Sequence, residues 1–445
     1  MHELAHEFTS RKVSPWGGIK YFHQTYLKSG MREDLLSAGL PEGGSNAAYS
    51  AIDLAEGFMV SVVLGARRFV HSGMLRTDEV IREIFGWRRG MASQSTFSRF
   101  FGKFDLDSND RIFTEVMRKW WEKMAIEKMT IDIDSTVITR FGNQEGAKKG
   151  YNPQKHGRQS HHPLLAFCDE LKMVVHAWMR EGNVHTAANT DCFVDQLLEI
   201  VPKEKIGLIR GDSGFYDKEI LGHLEREDKA VNYIIRAKMT GRLMEVIRSQ
   251  QKWYANDSVV KGAFYTEFDY QATGWYKSRR MVVVAKPKEE SKNRKNKQEV
   301  LFANTVDTDR YEFVAYVTST DLSASLVHST YNQRADCENR IKELKYDFGM
   351  DGFAMQSFAG MEAAFRFVML AYNLMALFKQ KVMAGPVRNH LSTIRFQCIA
   401  IGSYLVRDGR KKKMKLSAEG KRRHFLEHIF EKTERLEPPF QFSTA

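Results

Sequence analysis

Thr130-Ile131-Asp132-Ile133-Asp134-Ser135-Thr136 alternates apolar and acidic residues, so in a strand Ile131 and Ile133 face one side and Asp132 and Asp134 the other. A central strand carrying two carboxylates on one face is costly unless they are paired or bind a cation. The surrounding sequence alternates in kind. A strand over 129–138 is followed by a hairpin of 164–167 and 173–179 turning at Asp169-Glu170, a helix over 189–200 and a strand over 206–210. A helix over 217–227 and a strand over 231–236 come next. This order predicts an α/β sheet with helices on its faces.

In Ile206-Gly-Leu-Ile-Arg-Gly-Asp212-Ser-Gly-Phe-Tyr216 the apolar run ends at Asp212, just before a helix. In open α/β sheets that strand end is where ligands bind. Each aspartate alone also suits a turn or a cap.

A third carboxylate comes from Tyr331-Asn-Gln-Arg334-Ala-Asp-Cys-Glu338-Asn-Arg-Ile-Lys-Glu-Leu-Lys345. Read as one helix, it sets Arg334, Glu338 and Lys345 roughly 60°, 20° and 40° from Tyr331, all to the same side. Cys337, Ile341, Leu344 and Phe348 form an apolar stripe beside them. A carboxylate flanked by two cations and a phenol suits a divalent metal and a phosphodiester. A solvated helix face has the same spacing, so the remainder of the chain decides.

The 445 residues suffice for two or three domains, and 43% apolar with 12% aromatic residues describes a globular protein. Lys and Arg outnumber Asp and Glu by 67 to 55, a net charge of +12, as in proteins that handle polyanions. Cys168, Cys192, Cys337 and Cys398 form no C-x-x-C pair, which points away from a zinc ribbon or disulfide framework. The N-terminus is too polar for a signal peptide. The apolar run 367–378, broken by Asn373, is short for a bilayer. A soluble, cytoplasmic protein with no membrane partner is expected.

Residues 1–128 read as helical. Ser93 is a plausible N-cap for a helix that buries Phe97, Phe100, Phe101 and Phe104 and leaves Arg99 and Lys103 outside. That composition suits the second helix of a helix-turn-helix and equally an ordinary bundle helix. Residues 129–251 read as the first part of the α/β core, 252–325 as a β-rich insertion with a lysine-rich loop at 286–297, and 326–350 as the core's last helix. Residues 351–445 read as helical to about 406, followed by a solvated basic tail from Arg407 to Arg423. The basic loop containing Lys149 and Arg158 follows the first aspartate strand and is placed to hold DNA, or is a plain solvated loop. His156, His161 and His162 suggest zinc, but no cysteine stands nearby and adjacent strand histidines point apart.

Two strand aspartates and a helix glutamate around an α/β core resemble the DDE transposases of bacterial insertion sequences. Tyr331, Arg334, Glu338 and Lys345 reproduce the Y-x2-R-x3-E-x6-K signature of those with a β-strand insertion. Asp134-Ser-Thr, Gly150-Tyr-Asn-Pro153, Ser160-His-His-Pro-Leu-Leu-Ala-Phe167, Gly211-Asp-Ser-Gly-Phe-Tyr216, Ser14-Pro-Trp-Gly-Gly18 and Ala92-Ser-Gln-Ser-Thr-Phe-Ser-Arg99 look like insertion-sequence family thirteen-eighty, across nearly the whole chain.

The resemblance implies a ribonuclease H-like core interrupted by the β-rich insertion, a helical N-terminal DNA-binding domain and a helical C-terminal region. It implies that Asp134, Asp212 and Glu338 hold two Mg²⁺ ions, with Mn²⁺ able to substitute, and that Asp132 is at most an outer partner. Arg334, Lys345 and Tyr331 would contact phosphates. Trp253 and Trp275 are candidates to stack on a flipped base, but packing in a small sheet is the favoured reading. The implied activity is cut-and-paste transposition by a homodimer on paired terminal inverted repeats and target DNA, in a bacterial protein associated with the nucleoid when bound. A non-catalytic DNA-binding regulator and a nuclease that cuts without joining are the competing readings.

Overall fold

In the computed structural model, residues 4–153, 155–288, 310–383 and 390–442 are described. The aspartate strand β1 (Met129–Ser135) lies inside a sheet, with Ile131 and Ile133 buried in the core. Antiparallel to it runs β2 (Leu164–Cys168), which turns into β3 (Met173–Trp178). On its other side lie β4 (Ile206–Gly211) and β5 (Tyr233–Arg236), parallel to β1 and to each other. The order β3-β2-β1-β4-β5 puts the C-terminal ends of β1 and β4 side by side, because Ile133 pairs with Gly211.

The expected insertion is β-rich, but it is no separate sheet. Its strands β6 (Tyr254–Ala255), β7 (Phe264–Tyr270), β8 (Arg279–Pro287) and β9 (Tyr311–Thr318) continue the core sheet, β9 running antiparallel to β5 with Ile235 opposite Val317. The result is one nine-stranded sheet. Without β9, β5 would present an edge of unpaired N–H and C=O groups, and the added strands satisfy it. Glu225 fastens the junction: it accepts hydrogen bonds from Tyr233 on β5 at 2.6 Å and from Arg279 on β8 at 2.7 and 2.8 Å. Residues 289–297 of the expected lysine-rich loop lie outside the described residues.

Helices α1 (Ala51–Val63), α2 (Gln94–Phe101) and α3 (Leu106–Glu122) come from the N-terminal segment. Ser93 caps α2 by accepting from the Thr96 N–H. Phe97, Phe100, Phe101 and Phe104 are buried as expected. They enter a phenylalanine cluster with Phe58, Phe353 and Phe367; the Phe58 and Phe101 rings stand edge to face at 4.9 Å. The same apolar core continues through the sheet into the C-terminal helices, so it crosses the boundary expected near residue 128.

After α4 (Thr190–Ile200) and α5 (Lys218–Leu224) the chain forms α6 (Ala324–Asn332), α7 (Ala335–Tyr346) and α8 (Phe358–Lys381). At 24 residues, α8 is longer than the expected apolar run and apolar enough to cross a membrane, yet its whole apolar window is packed inside the fold. Asn373 explains the polar interruption: its amide donates to the Val174 carbonyl and accepts from the Val174 N–H, both at 2.8 Å, satisfying the edge of β3.

The C-terminal expectation needs correcting. The basic run is a hairpin of Ser403–Asp408 and Lys411–Leu416 that turns at Gly409, where φ is +60°, and pairs with Val13–Ser14 near the N-terminus. Alternation in Lys413-Met414-Lys415-Leu416 favours a strand over a solvated tail, and Lys421 to Arg423 lie in the helix Gly420–Glu434.

Candidate active site

On β1 the two aspartates meet different partners. Asp132, fully buried, accepts a bidentate pair from Arg210 of β4 at 2.6 and 2.8 Å. Arg210 also reaches Asp169 at 2.9 Å, and Arg340 of α7 stands 3.5 Å from Asp169. A closed set of buried charges thus ties β1, β4 and α7 together beneath the site.

Two residues on, Asp134 is 8% exposed. It accepts from the Ser135 N–H at 2.8 Å, pairs with Arg334 at 3.1 Å and faces the Cys337 thiol at 4.0 Å. Burial pushes its carboxyl up to about 6, against the pull of Arg334 and with the push of the Asp212 charge. Asp212 follows β4 and caps the short turn Ser213–Phe215, one oxygen accepting from the Gly214 N–H at 2.8 Å. A Cβ at Gly214 would stand 2.8 Å from the Thr186 methyl and 2.9 Å from that same Asp212 oxygen, so the turn requires glycine.

Glu338 lies in the first turn of α7, exposed, next to Cys337 and one turn beyond Arg334. Its carboxylate has no hydrogen bond or ion pair among the described residues. The fold therefore brings Asp134 and Asp212 together and sets Glu338 on the adjoining helical turn, without closing the three into one tight cluster. Among the described residues the acidic group that does close, with ligand atoms within 4.8 Å, is Glu343, Asp347 and His390. Sequence reading did not single it out. Its carboxylates are already engaged: Glu343 pairs with Lys379 at 2.6 Å and accepts from the Leu391 N–H at 3.1 Å, and Asp347 accepts from Ser392.

The segment 331–345 is not one helix. It breaks at Gln333-Arg334, where the Arg334 N–H bonds to Tyr331 and the Cys337 N–H to Arg334, a tighter i to i−3 pattern. The cause is Arg210, whose guanidinium takes the Thr330 carbonyl at 2.5 Å, the acceptor a continuous α-helix would give to Arg334. The break turns Tyr331 toward the insertion, where its ring meets Tyr316 at 4.7 Å. Arg334 turns inward, donating to the Ile133 carbonyl at 3.0 Å, its Nε buried without a partner. Lys345 donates to the Val137 carbonyl at 3.0 Å, and burial lowers its ammonium pKa.

The other expected contacts lie farther out. Lys149 sits in a two-residue strand rather than a loop, and Arg158 is exposed near it. Arg99 is exposed on α2, and Lys103 donates to the Glu42 carbonyl at 2.9 Å. Trp275 is buried against Tyr216 and Arg279, and Trp253 packs on Phe313, so both tryptophans serve packing. The histidines do not converge: His161 bonds Arg140 and the Glu145 carbonyl, and His156 is exposed elsewhere. His162, read in the sequence as a zinc candidate, is instead a neighbour of the site. It bridges the Ser135 hydroxyl at 3.1 Å and the Val184 carbonyl at 3.0 Å, beside both aspartates. It directly follows the strand Gln159–His161.

The chain matches the family model of the transposase DDE domain, group 1, over residues 2–438. No curated protein matches it significantly. Among solved structures, the piggyBac transposase synaptic complex with hairpin DNA aligns at 11% identity over 87% of this chain and 81% of that one, with a TM-score of 0.44. The Mos1 transposase paired-end complex aligns at 10% identity over 42% and 58%, with a TM-score of 0.17. Because the family model spans nearly every residue from the N-terminal helices to the last strand, the chain belongs to the group 1 DDE transposases.

Proposed function

We propose that the protein is a cut-and-paste DNA transposase whose catalytic carboxylates are Asp134, Asp212 and Glu338. The observation that carries this reading is the placement of Asp134 and Asp212 at the C-terminal ends of adjacent parallel strands, facing the helix that bears Glu338. The order of the five core strands, antiparallel then parallel, supports a ribonuclease H-like core. The Y-x2-R-x3-E-x6-K spacing supports kinship with insertion-sequence family thirteen-eighty.

The donor set fits Mg²⁺. All three side chains offer hard oxygen atoms, Glu338 has both uncommitted, and Asp212 has one. Asp134, Asp212 and Glu338 would hold the ions, and Mn²⁺ would be accepted by the same donors. When bound, such ions polarise a phosphoryl oxygen and acidify water. The chain's own residues do the rest. Arg334 fixes the Asp134 carboxylate from below and balances its charge. Lys345 and the Tyr331 hydroxyl flank the opening as phosphate contacts. Ser135, held by His162, fixes the Asp134 oxygen through its N–H.

A homodimer acting on paired terminal repeats supplies the second end and the target joining. Purified protein incubated in Mg²⁺ with the DNA flanking its gene should nick the element ends, and Asp134→Ala should not. Equal cleavage by both proteins overturns the assignment.

A further inference from the structure

Directly after β1, the short strands Ile138–Thr139, Gln159–His161 and Lys148–Lys149 form a separate three-stranded sheet. Arg140, Phe141, Lys149, His156, Arg158 and Gln159 line a groove on it. The Phe141 ring is 73% exposed. A lone exposed phenylalanine is ordinary; this one shares its groove with Lys149 and Arg158. Lys148, Lys149, Lys155 and Arg158 are exposed and have no ion pair among the described residues, whereas in the site's interior Arg210, Arg334 and Arg340 are all paired. The Lys155 ammonium lies 4.7 Å over the Phe141 ring.

The loop is held in place. Asn152 donates to the Thr139 hydroxyl and accepts from the Lys155 N–H, each at 3.0 Å. Gly157, at φ +72°, turns Arg158 back to the strand. With Trp253 and Trp275 committed to packing, Phe141 and, in the same loop, Tyr151 are aromatic faces that stay open beside unpaired cations near β1, and Phe141 is the one that lines the groove.

We propose that this groove binds unpaired nucleotides: a base stacks on Phe141 while Lys149, Lys155 and Arg158 hold the adjacent phosphates. Stacking needs only a π-face and so accepts any base, and the cations follow the backbone. An arriving nucleotide replaces the Lys155 contact on the ring and gives that ammonium a phosphate instead. This site deepens the DNA-transposase reading and rests on it, since strand cleavage near Asp134 leaves a cut end whose terminal nucleotides can fray close to this sheet.

The test is fluorescence anisotropy of the full-length protein with oligo-dT of about 20 nucleotides and a random duplex of equal length. Phe141→Ala should weaken oligo-dT binding about tenfold and duplex binding less than about twofold, and Phe141→Trp should preserve both. Lys149→Ala with Arg158→Ala should weaken both ligands and reduce the salt slope on oligo-dT by roughly 1.4. The proposal is overturned if wild type does not bind oligo-dT, if Phe141→Ala binds it as tightly as wild type, or if the two ligands lose equally. Because the assay uses no element end and no cleavage, such a failure leaves end cleavage untouched. Conversely, a wild type that fails to cleave ends counts against the transposase reading without altering this measurement.

Discussion

The inner and outer halves of β1 carry the same residue on the same face, and the fold treats them in opposite ways. Around Asp132 every charge is matched, by Arg210 from the next strand and by Asp169 and Arg340 around it. Around Asp134 the matching is incomplete, with one arginine, a neighbouring carboxylate and a thiol, although burial pushes the carboxyls of both aspartates up. The inner region fastens helix to sheet. The outer region keeps a carboxylate whose remaining demand for positive charge is left for a ligand.

The comparison breaks first at Asp132. Asp132→Asn leaves Arg210 with Asp169 as its one carboxylate, and removing one partner of a buried pair typically costs about 3–5 kcal/mol. Urea unfolding should show that loss; a change under about 1 kcal/mol would make the network ornamental.

The next test is Glu225, the clamp between core and added strands. Burial alone would raise its pKa, but hydrogen bonds from Arg279, Tyr233, Tyr276 and Lys277 outweigh it and hold the group at about 2. A folded pKa below the unfolded one means the stabilisation is present above the unfolded value, near 4.5, and is lost as pH falls toward 2. Glu225→Gln should lose roughly 2–3 kcal/mol at pH 7 and flatten the acid limb of the stability curve.

The smallest effect on stability belongs to Asp134. Its folded pKa of about 6 lies above the ordinary carboxylate value, so the folded state binds more protons between those values and stability falls as pH rises through 6. Asp134→Asn should therefore lose that pH dependence and, because Arg334 loses its carboxylate but keeps the Ile133 carbonyl as acceptor, should cost less at pH 7 than Asp132→Asn. A large destabilisation would place Asp134 with the inner network.

Much of this was legible in the sequence. The period-two alternation fixed which side of β1 carries acid, and the end of an apolar run marked Asp212. Local patterns do not name long-range partners. Nothing around Arg210 announces that it takes Asp132, Asp169 and the Thr330 carbonyl together, and so breaks the helix that the spacing from Tyr331 to Lys345 suggests. The sheet's growth into the insertion depends on β5 needing a neighbour, which is a property of the assembled edge. The exposure of Phe141 was not legible for the same reason, because burial of an aromatic ring is decided by what packs on it.

Glu338 offers the most direct test of the whole account, because Glu343 lies on the same helix in the more tightly gathered acidic group. Rates of element-end nicking in Mg²⁺ by Glu338→Gln and Glu343→Gln, each checked for folding by urea unfolding, separate the two. The account predicts a loss of about a thousandfold or more for Glu338→Gln and less than about tenfold for Glu343→Gln. Retained nicking by Glu338→Gln with loss in Glu343→Gln would contradict it.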